Sequence, residues 1–273
     1  MTTCSGAAVH NAGLAFNTIA EQYDEMFTHS LIGRSQRGAV WEVLRQTFTS
    51  GERVVELNCG TGEDALFLAR MGVSVVACDA SEGMIAVATR RTTGEIRRDQ
   101  VQFKVLSNER IGELGDAGVF DGAFSNFSGL NCVADLSAVA RQLASLIKPC
   151  GRILLCFSSR VCLWETLWYL AHGEMSRSVR RWKGSATAAL ADIALRVQYP
   201  TMTDIQKQFR PFFRLRGCKG IGVAVPPSYV EHVARKHPRA LNGLMAIDRT
   251  VAAWPGFRVI GDHMLLTLER SEI

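Results

Sequence analysis

Val54-Val55-Glu56-Leu57-Asn58-Cys59-Gly60-Thr61-Gly62-Glu63-Asp64-Ala65, followed by a second apolar run that closes at Asp79, decides how this chain folds. Val54 to Leu57 has the composition of a short buried strand. Asn58, Gly60 and Gly62 supply a turn that lets a ligand approach the backbone closely. Ala65 to Ala69 begins a helix, and Val73 to Cys78 forms the next strand. Asp79 then stands one strand–helix–strand unit on, where a carboxylate can accept both hydroxyls of a ribose. The unit predicts an α/β, Rossmann-like, doubly wound fold and a ligand that contains a ribose.

Whether that ligand carries phosphates is the next question, because Gly60 to Ala65 formally matches the dinucleotide fingerprint G-x-G-x-x-G/A. A dinucleotide places its pyrophosphate on the helix N-terminus, and Glu63 and Asp64 in the first turn, with Glu56 at the strand end, would repel it. A cation would be welcome there. S-adenosylmethionine has a ribose, no phosphate, a sulfonium and an ammonium group, and three carboxylates beside the loop suit it.

On these residues the chain resembles the class I S-adenosylmethionine-dependent methyltransferases, in particular the type 11-like group. Their first motif, acidic-x-Gly-x-Gly-x-Gly, reads here Glu56-x-Asn58-x-Gly60-x-Gly62, and Asp79-Ala80-Ser81-x-x-Met84 matches the second. Asn58 departs from the pattern, but asparagine enters left-handed backbone conformations more readily than other non-glycine residues. The resemblance implies S-adenosylmethionine as methyl donor, with Glu56, Asn58, Gly60, Gly62, Asp79, Ala80 and Met84 around it. It also implies a mostly parallel seven-stranded sheet whose last strand is antiparallel, and it covers roughly residues 14 to 157 well. Relatives often carry an acid after the third strand for the adenine amino group; here Ser107 or Asn108 must serve, unless both are turn residues only.

Further elements follow outward. Phe16 to Phe27 has helical spacing, and Tyr23 within it is a lid residue in many relatives or else a residue packed on the domain. A second helix runs Gln36 to Thr47, and residues 14–47 together form a cap. Ser81 to Arg91 reads as a helix, Val101 to Leu106 as the third strand and Phe120 to Asn126 as the fourth. Asn126, Phe127 and Asn131 in the following loop sit where the transferable methyl should meet the acceptor, although Asn126 also suits a capping role. Leu136 to Leu146 is amphipathic, Lys148-Pro149-Cys150-Gly151 a turn, and Arg152 to Phe157 the fifth strand. Strands six and seven are expected near Phe213 to Val225 and at Met264 to Glu269.

Two insertions, read as helical lids, interrupt this plan. Residues 158–195 and 226–260 lie after strands whose carboxyl ends face the ligand. The first holds Trp164, Trp168, Tyr169, His172 and Glu174, then Arg177, Arg180, Arg181, Trp182 and Lys183. Such a segment can pack on an apolar acceptor that bears an anionic group, or can be an amphipathic helix with solvated bases. His263 and His172 are the histidines whose expected positions permit general-base work, with Asn126 as a polar partner for the acceptor.

Composition bounds the rest. At 273 residues the chain exceeds the usual ~100–200 per domain, yet no linker-like stretch divides it, so a single domain 1–273 is expected. Met1 to His10 reads as a flexible cytosolic end, and no apolar run approaches the ~20 residues of a membrane span. Eight cysteines without C-x-x-C spacing suggest buried thiols in a reducing cytoplasm and no metal site. The net charge is +5, and the basic residues are scattered except around Arg177 to Lys183, so no nucleic acid is expected. The expected partner is a small, partly apolar acceptor, methylated on oxygen, nitrogen or activated carbon; a homo-oligomer is compatible with the sequence. Two other classes stay open: an NAD(P)-dependent oxidoreductase, and a noncatalytic protein retaining the fold.

Overall fold

Each apolar run named above becomes a strand in the computed structural model, which describes residues 4–92, 100–115, 118–190 and 192–272. β1 (Arg53–Leu57), β2 (Ser74–Asp79), β3 (Val101–Val105), β4 (Phe120–Ser125) and β5 (Ile147–Ser158) are mutually parallel. The N-terminal region forms helices α1 (Cys4–Ile19) and α2 (Leu31–Thr47), joined by a π-turn at Asp24–Thr28. The helix expected from Phe16 to Phe27 therefore breaks at Ile19, and a helix replaces the expected flexible end from Cys4 on; Met1 to Thr3 lie outside the described residues. Helices α3 (Glu63–Arg70), α4 (Glu82–Arg91) and α5 (Leu136–Leu146) connect the parallel strands.

Beyond β5 the first insertion holds α6 (Leu163–Ala171), α7 (Met175–Ser178) and then a strand pair, β6 (Ser185–Leu190) and β7 (Ile193–Gln198). This corrects the expectation of an all-helical lid: β6 and β7 pair antiparallel as a separate two-stranded sheet. α8 (Met202–Phe209) and β8 (Phe213–Ile221) follow; α9 (Glu231–Lys236) and α10 (Pro238–Val251) fill the second insertion, and β9 (His263–Arg270) ends the sheet.

Among the described residues the main sheet has seven strands in the order β3-β2-β1-β4-β5-β9-β8, with β9 antiparallel to both neighbours. The pleat sends alternate residues to two cores. Val55, Leu57, Val76, Ala123 and Leu155 pack toward α5 and α8; Val54, Val75, Ala77, Phe124 and Leu154 pack toward α2 and α3. Lys148 to Gly151 belongs to β5 itself, as an irregularity in its pairing with β4, and Cys150 takes a left-handed φ of 62° there. The strand order reverses beside β1 and β4, so the carboxyl ends of these two strands open a crevice.

Candidate functional site

The crevice is a cavity of about 890 Å³, counting space open to solvent, and the loop after β1 forms its floor. Asn58, Gly60 and Gly62 all take positive φ (47°, 54° and 80°), the turn that their side chains permit. Asn58 also braces it: its Nδ2 donates to Asn126 O at 2.7 Å and its Oδ1 accepts from Ser125 Oγ at 2.6 Å. The loop is thereby fixed to the end of β4. A Cβ built on Gly60 would stand in open space, its nearest neighbour the Tyr23 ring 4.0 Å away.

Asp79 closes one side. Its Oδ2 accepts from Gly60 N and its Oδ1 from Ser81 N, both at 2.9 Å, so the carboxylate is oriented by backbone alone and keeps lone pairs for a ligand. Burial nonetheless pushes its pKa up. Ser81 caps α4 by accepting from Met84 N at 3.0 Å, which seats Met84 in the cavity wall. Helix α1 covers this edge: Asn17 Oδ1 accepts from Ser81 Oγ (2.6 Å) and Gly83 N (2.9 Å), and Phe16 lines the cavity.

The opposite side is aromatic and cationic. Phe127 has a φ of 43°, rare for a bulky residue, and its ring meets Phe27 (4.8 Å) and His263 (5.5 Å) edge-on with Arg37 4.9 Å over its face. Tyr23 bridges Phe16 and Phe27, and burial pushes its phenol up to about 12. Asp64 accepts from Arg37 Nη1 (2.6 Å), Trp41 Nε1 (2.6 Å) and Asn126 Nδ2 (3.0 Å). Glu63 pairs with Arg91 at 2.5 Å, and Arg91 also pairs with Asp24. The first-turn acids are thus neutralised by arginines. Glu56 lies buried behind the loop, does not line the cavity, and burial, with Asp64 near, pushes its pKa well up. The loop thus does not present the three free carboxylates expected: among the described residues, the lining acids without a cationic partner are Asp79 and Glu109.

Residues 54–151, which carry this floor and both flanks, match the family model described as a methyltransferase domain. The match ends at Gly151, before the first insertion begins. Over 141 residues the chain is 33% identical to a demethylmenaquinone methyltransferase of Clavibacter sepedonicus, covering 52% of this chain and 55% of the relative. A demethylmenaquinone methyltransferase of Mycolicibacterium gilvum is 30% identical over 149 residues, covering 54% and 60%. The chain thus spans just over half the length of these curated relatives. In fold it resembles the crystal structure of an S-adenosylmethionine-dependent methyltransferase from Mesorhizobium loti, with a TM-score of 0.55, 17% identity and coverage of 84% of this chain and 97% of that one.

Within the matched segment and the N-terminal cap, the structure brings Tyr23, Asn58, Gly60, Asp79, Ala80, Met84, Ser107, Asn108, Asn126 and Phe127 to one cavity. Gly62 stands behind it, where a Cβ would strike Ala88 and Phe103 at 2.9 Å, so this glycine serves helix–strand packing. Asn126 is committed on both ends, to Asp64 and, through its Oδ1, to Phe127 N at 2.9 Å; it positions the loop. Asn131 is fully buried and ties the loop to Ser158 and Gln198, away from the cavity. Neither histidine lines it. His172 is exposed on the first insertion, its Nδ1 2.7 Å from Trp168 O. His263 is buried behind Phe127, with Nδ1 unpartnered and 3.6 Å from Asp262, and burial lowers its pKa.

Two arginines of the first insertion turn inward. Arg180 and Arg181 both bond the buried Glu165, and Arg181 adds Asp262 at 2.9 Å. Burial alone would raise the Asp262 carboxyl, but His263, Arg181 and Gln36 outweigh it and hold it below its ordinary value. Arg177 pairs with Glu174 at 2.7 Å. Arg180 and Arg181 are therefore engaged within the protein, while Arg177 stays exposed beside Glu174. Sequence reasoning missed Arg37 and Glu109. Arg37 and Trp41 stand one helical turn apart and both reach Asp64, a pattern that could have flagged them; Glu109 follows the Ser107-Asn108 pair in which an acid was sought.

Proposed function

We propose that the protein is an S-adenosylmethionine-dependent methyltransferase acting on a small, partly apolar, electron-rich aromatic acceptor, with quinols of the demethylmenaquinone type the first to try. The observation that carries the donor assignment is Asp79, held by Gly60 and Ser81 N–H and facing a cavity whose other unpaired charge, among the described residues, is Glu109. Such a lining fits a ribose-bearing cation and disfavours a pyrophosphate. The open space above Gly60 fits the same ligand, since a side chain there would fill it. Asp79 would hold the ribose hydroxyls, Glu109 with Ser107 and Asn108 the adenine amino group, and Met84 the adenine face.

When bound, the donor supplies an electrophilic methyl group on a sulfonium. Phe127, Tyr23 and Phe16 would keep water from it. The Arg37–Asp64–Asn126 network fixes the loop that bears Phe127, so the chain's contribution is positioning, which can supply ~7–11 kcal/mol. No imidazole lines the cavity among the described residues, and the Tyr23 phenol stays protonated at neutral pH. This supports an acceptor whose nucleophile is activated by its own ring, and the names of the two relatives support the quinol class. The test is incubation with methyl-labelled S-adenosylmethionine and a short-chain demethylmenaquinol. Label extracted with the acceptor is expected; donor binding with no transfer to any quinol or phenol would remove the acceptor class.

A further inference from the structure

Apolar and positive side chains are unevenly placed on this protein. Of the eleven large apolar side chains that stand exposed among the described residues, eight belong to the two insertions. Leu163, Leu167, Leu170, Met175 and Trp182 lie in the first; Ile247, Trp254 and Phe257 lie in the second. Charge segregates with them. Residues 158–195 and 226–260 hold ten Arg or Lys against five Asp or Glu, an excess equal to the +5 of the whole chain, and the remaining residues carry 21 of each sign. A large apolar patch bordered by one sign of charge marks a binding surface.

The three leucines of α6 follow i, i+4, i+7 and are 42%, 54% and 42% exposed, so they share one side of the helix. The other side carries Glu165, 2% exposed and bridged to Arg180 and Arg181. That clamp prevents the helix from rolling its leucines inward. The insertions are joined here: Leu163 N–H donates to Ile260 O at 3.0 Å, beside the turn Phe257–Val259, and Trp168 packs on Tyr229 and His232 of the second insertion. Among the described residues no helix is long and apolar enough to cross a membrane.

We propose that the two insertions dock the protein on an anionic membrane surface. The α6 leucines and Met175 enter the interfacial layer, while exposed bases such as Lys183, Lys236 and Arg239 meet the headgroups. Charge favours this occupant over a second copy of the chain, which would bring two positive faces together. The inference goes beyond the methyl-transfer reading and does not rest on it.

The experiment is co-sedimentation of the full chain with vesicles of phosphatidylcholine alone and of phosphatidylcholine mixed with phosphatidylglycerol. Binding to the anionic vesicles, weakened by salt, is expected. A variant with Leu163→Gln, Leu167→Gln and Leu170→Gln should bind about tenfold or more weakly, with an unchanged urea midpoint as the folding control. Lys183→Glu, a surface change, should weaken binding in the same direction. No binding of the wild type to anionic vesicles, or equal binding by the leucine variant, overturns the proposal. So does light scattering that shows a dimer dissolved by the leucine changes and unaffected by vesicles.

Discussion

The donor cavity and the two insertions are built by opposite means. In the cavity, the ligand-facing groups sit at fixed short offsets from strand ends: Gly60 three residues past β1, Asp79 at the end of β2, Phe127 two past β4. Backbone N–H groups and left-handed turns do the positioning. The insertions are instead held by side chains far apart in sequence, with Glu165, Arg181 and Asp262 forming one buried ionic cluster. The ligand-facing backbone is placed locally and then braced by Asn58 and the Arg37–Asp64–Asn126 network, whereas the insertions depend on the ionic cluster. Damage to one should therefore leave the other standing.

The sharpest break of that comparison is Arg181→Met. Removing the guanidinium leaves Asp262 buried without its arginine while Glu165 keeps Arg180, which should cost about 3 kcal/mol in urea unfolding. Donor affinity of the folded fraction, read at low temperature, should not change. A loss under about 1 kcal/mol would discount the cluster, and a fall in donor affinity would show that it also holds Phe127 through Asp262 and His263.

Asp79→Ala is the reciprocal experiment. Loss of a charged acceptor should weaken S-adenosylmethionine by about 1.5–3 kcal/mol, roughly ten- to hundredfold in Kd, with the urea midpoint little altered. An unchanged Kd by calorimetry would detach Asp79 from the ligand.

The contrast also explains what could be read in advance. β1 to β5, Asp79, Met84 and the loop glycines were legible because strand–turn–helix chemistry is written in consecutive residues. Asn58 was legible as a left-handed residue for the same reason, and its φ of 47° agrees. β6 and β7 were not: Ser185-Ala-Thr-Ala-Ala-Leu190 has no strand composition, and the strand forms because β7 lies along α1 and because Asn131 donates to Gln198 O at 2.5 Å. The inward turn of Arg180 and Arg181 was equally hidden, since Glu165 and Asp262 come together only in the fold. Arg37 reaches Asp64 across 27 residues, and on its own helix it reads as a solvated base.

Two smaller effects sharpen the picture within the donor half. Cys150 holds a φ of 62° at the end of β5 remote from the cavity, a conformation that glycine adopts without strain. Cys150→Gly should raise stability by about 1 kcal/mol and leave donor binding alone. A lower melting temperature would mean that the Cys150 Sγ contact to Glu272 at 3.5 Å outweighs the strain.

The last effect is one of slope. Burial holds the Glu56 pKa well above its ordinary value, so the folded state keeps a proton that the unfolded state has lost. Stability from this residue is therefore full below the ordinary carboxylate pKa of about 4.3 and declines as pH rises toward the folded value. Glu56→Gln should match the wild type in acid and exceed it progressively above that point, with donor affinity kept because Glu56 does not line the cavity. Parallel pH profiles for the two proteins would show that Glu56 is ionised in the fold.

The central claim is that the acidic cavity over Gly60 and Asp79 takes S-adenosylmethionine. Calorimetric titration of the wild-type chain with S-adenosylmethionine and, separately, with NAD tests it most directly. The account predicts saturable one-site heat with S-adenosylmethionine and none with NAD; saturable heat with NAD and none with S-adenosylmethionine would contradict it.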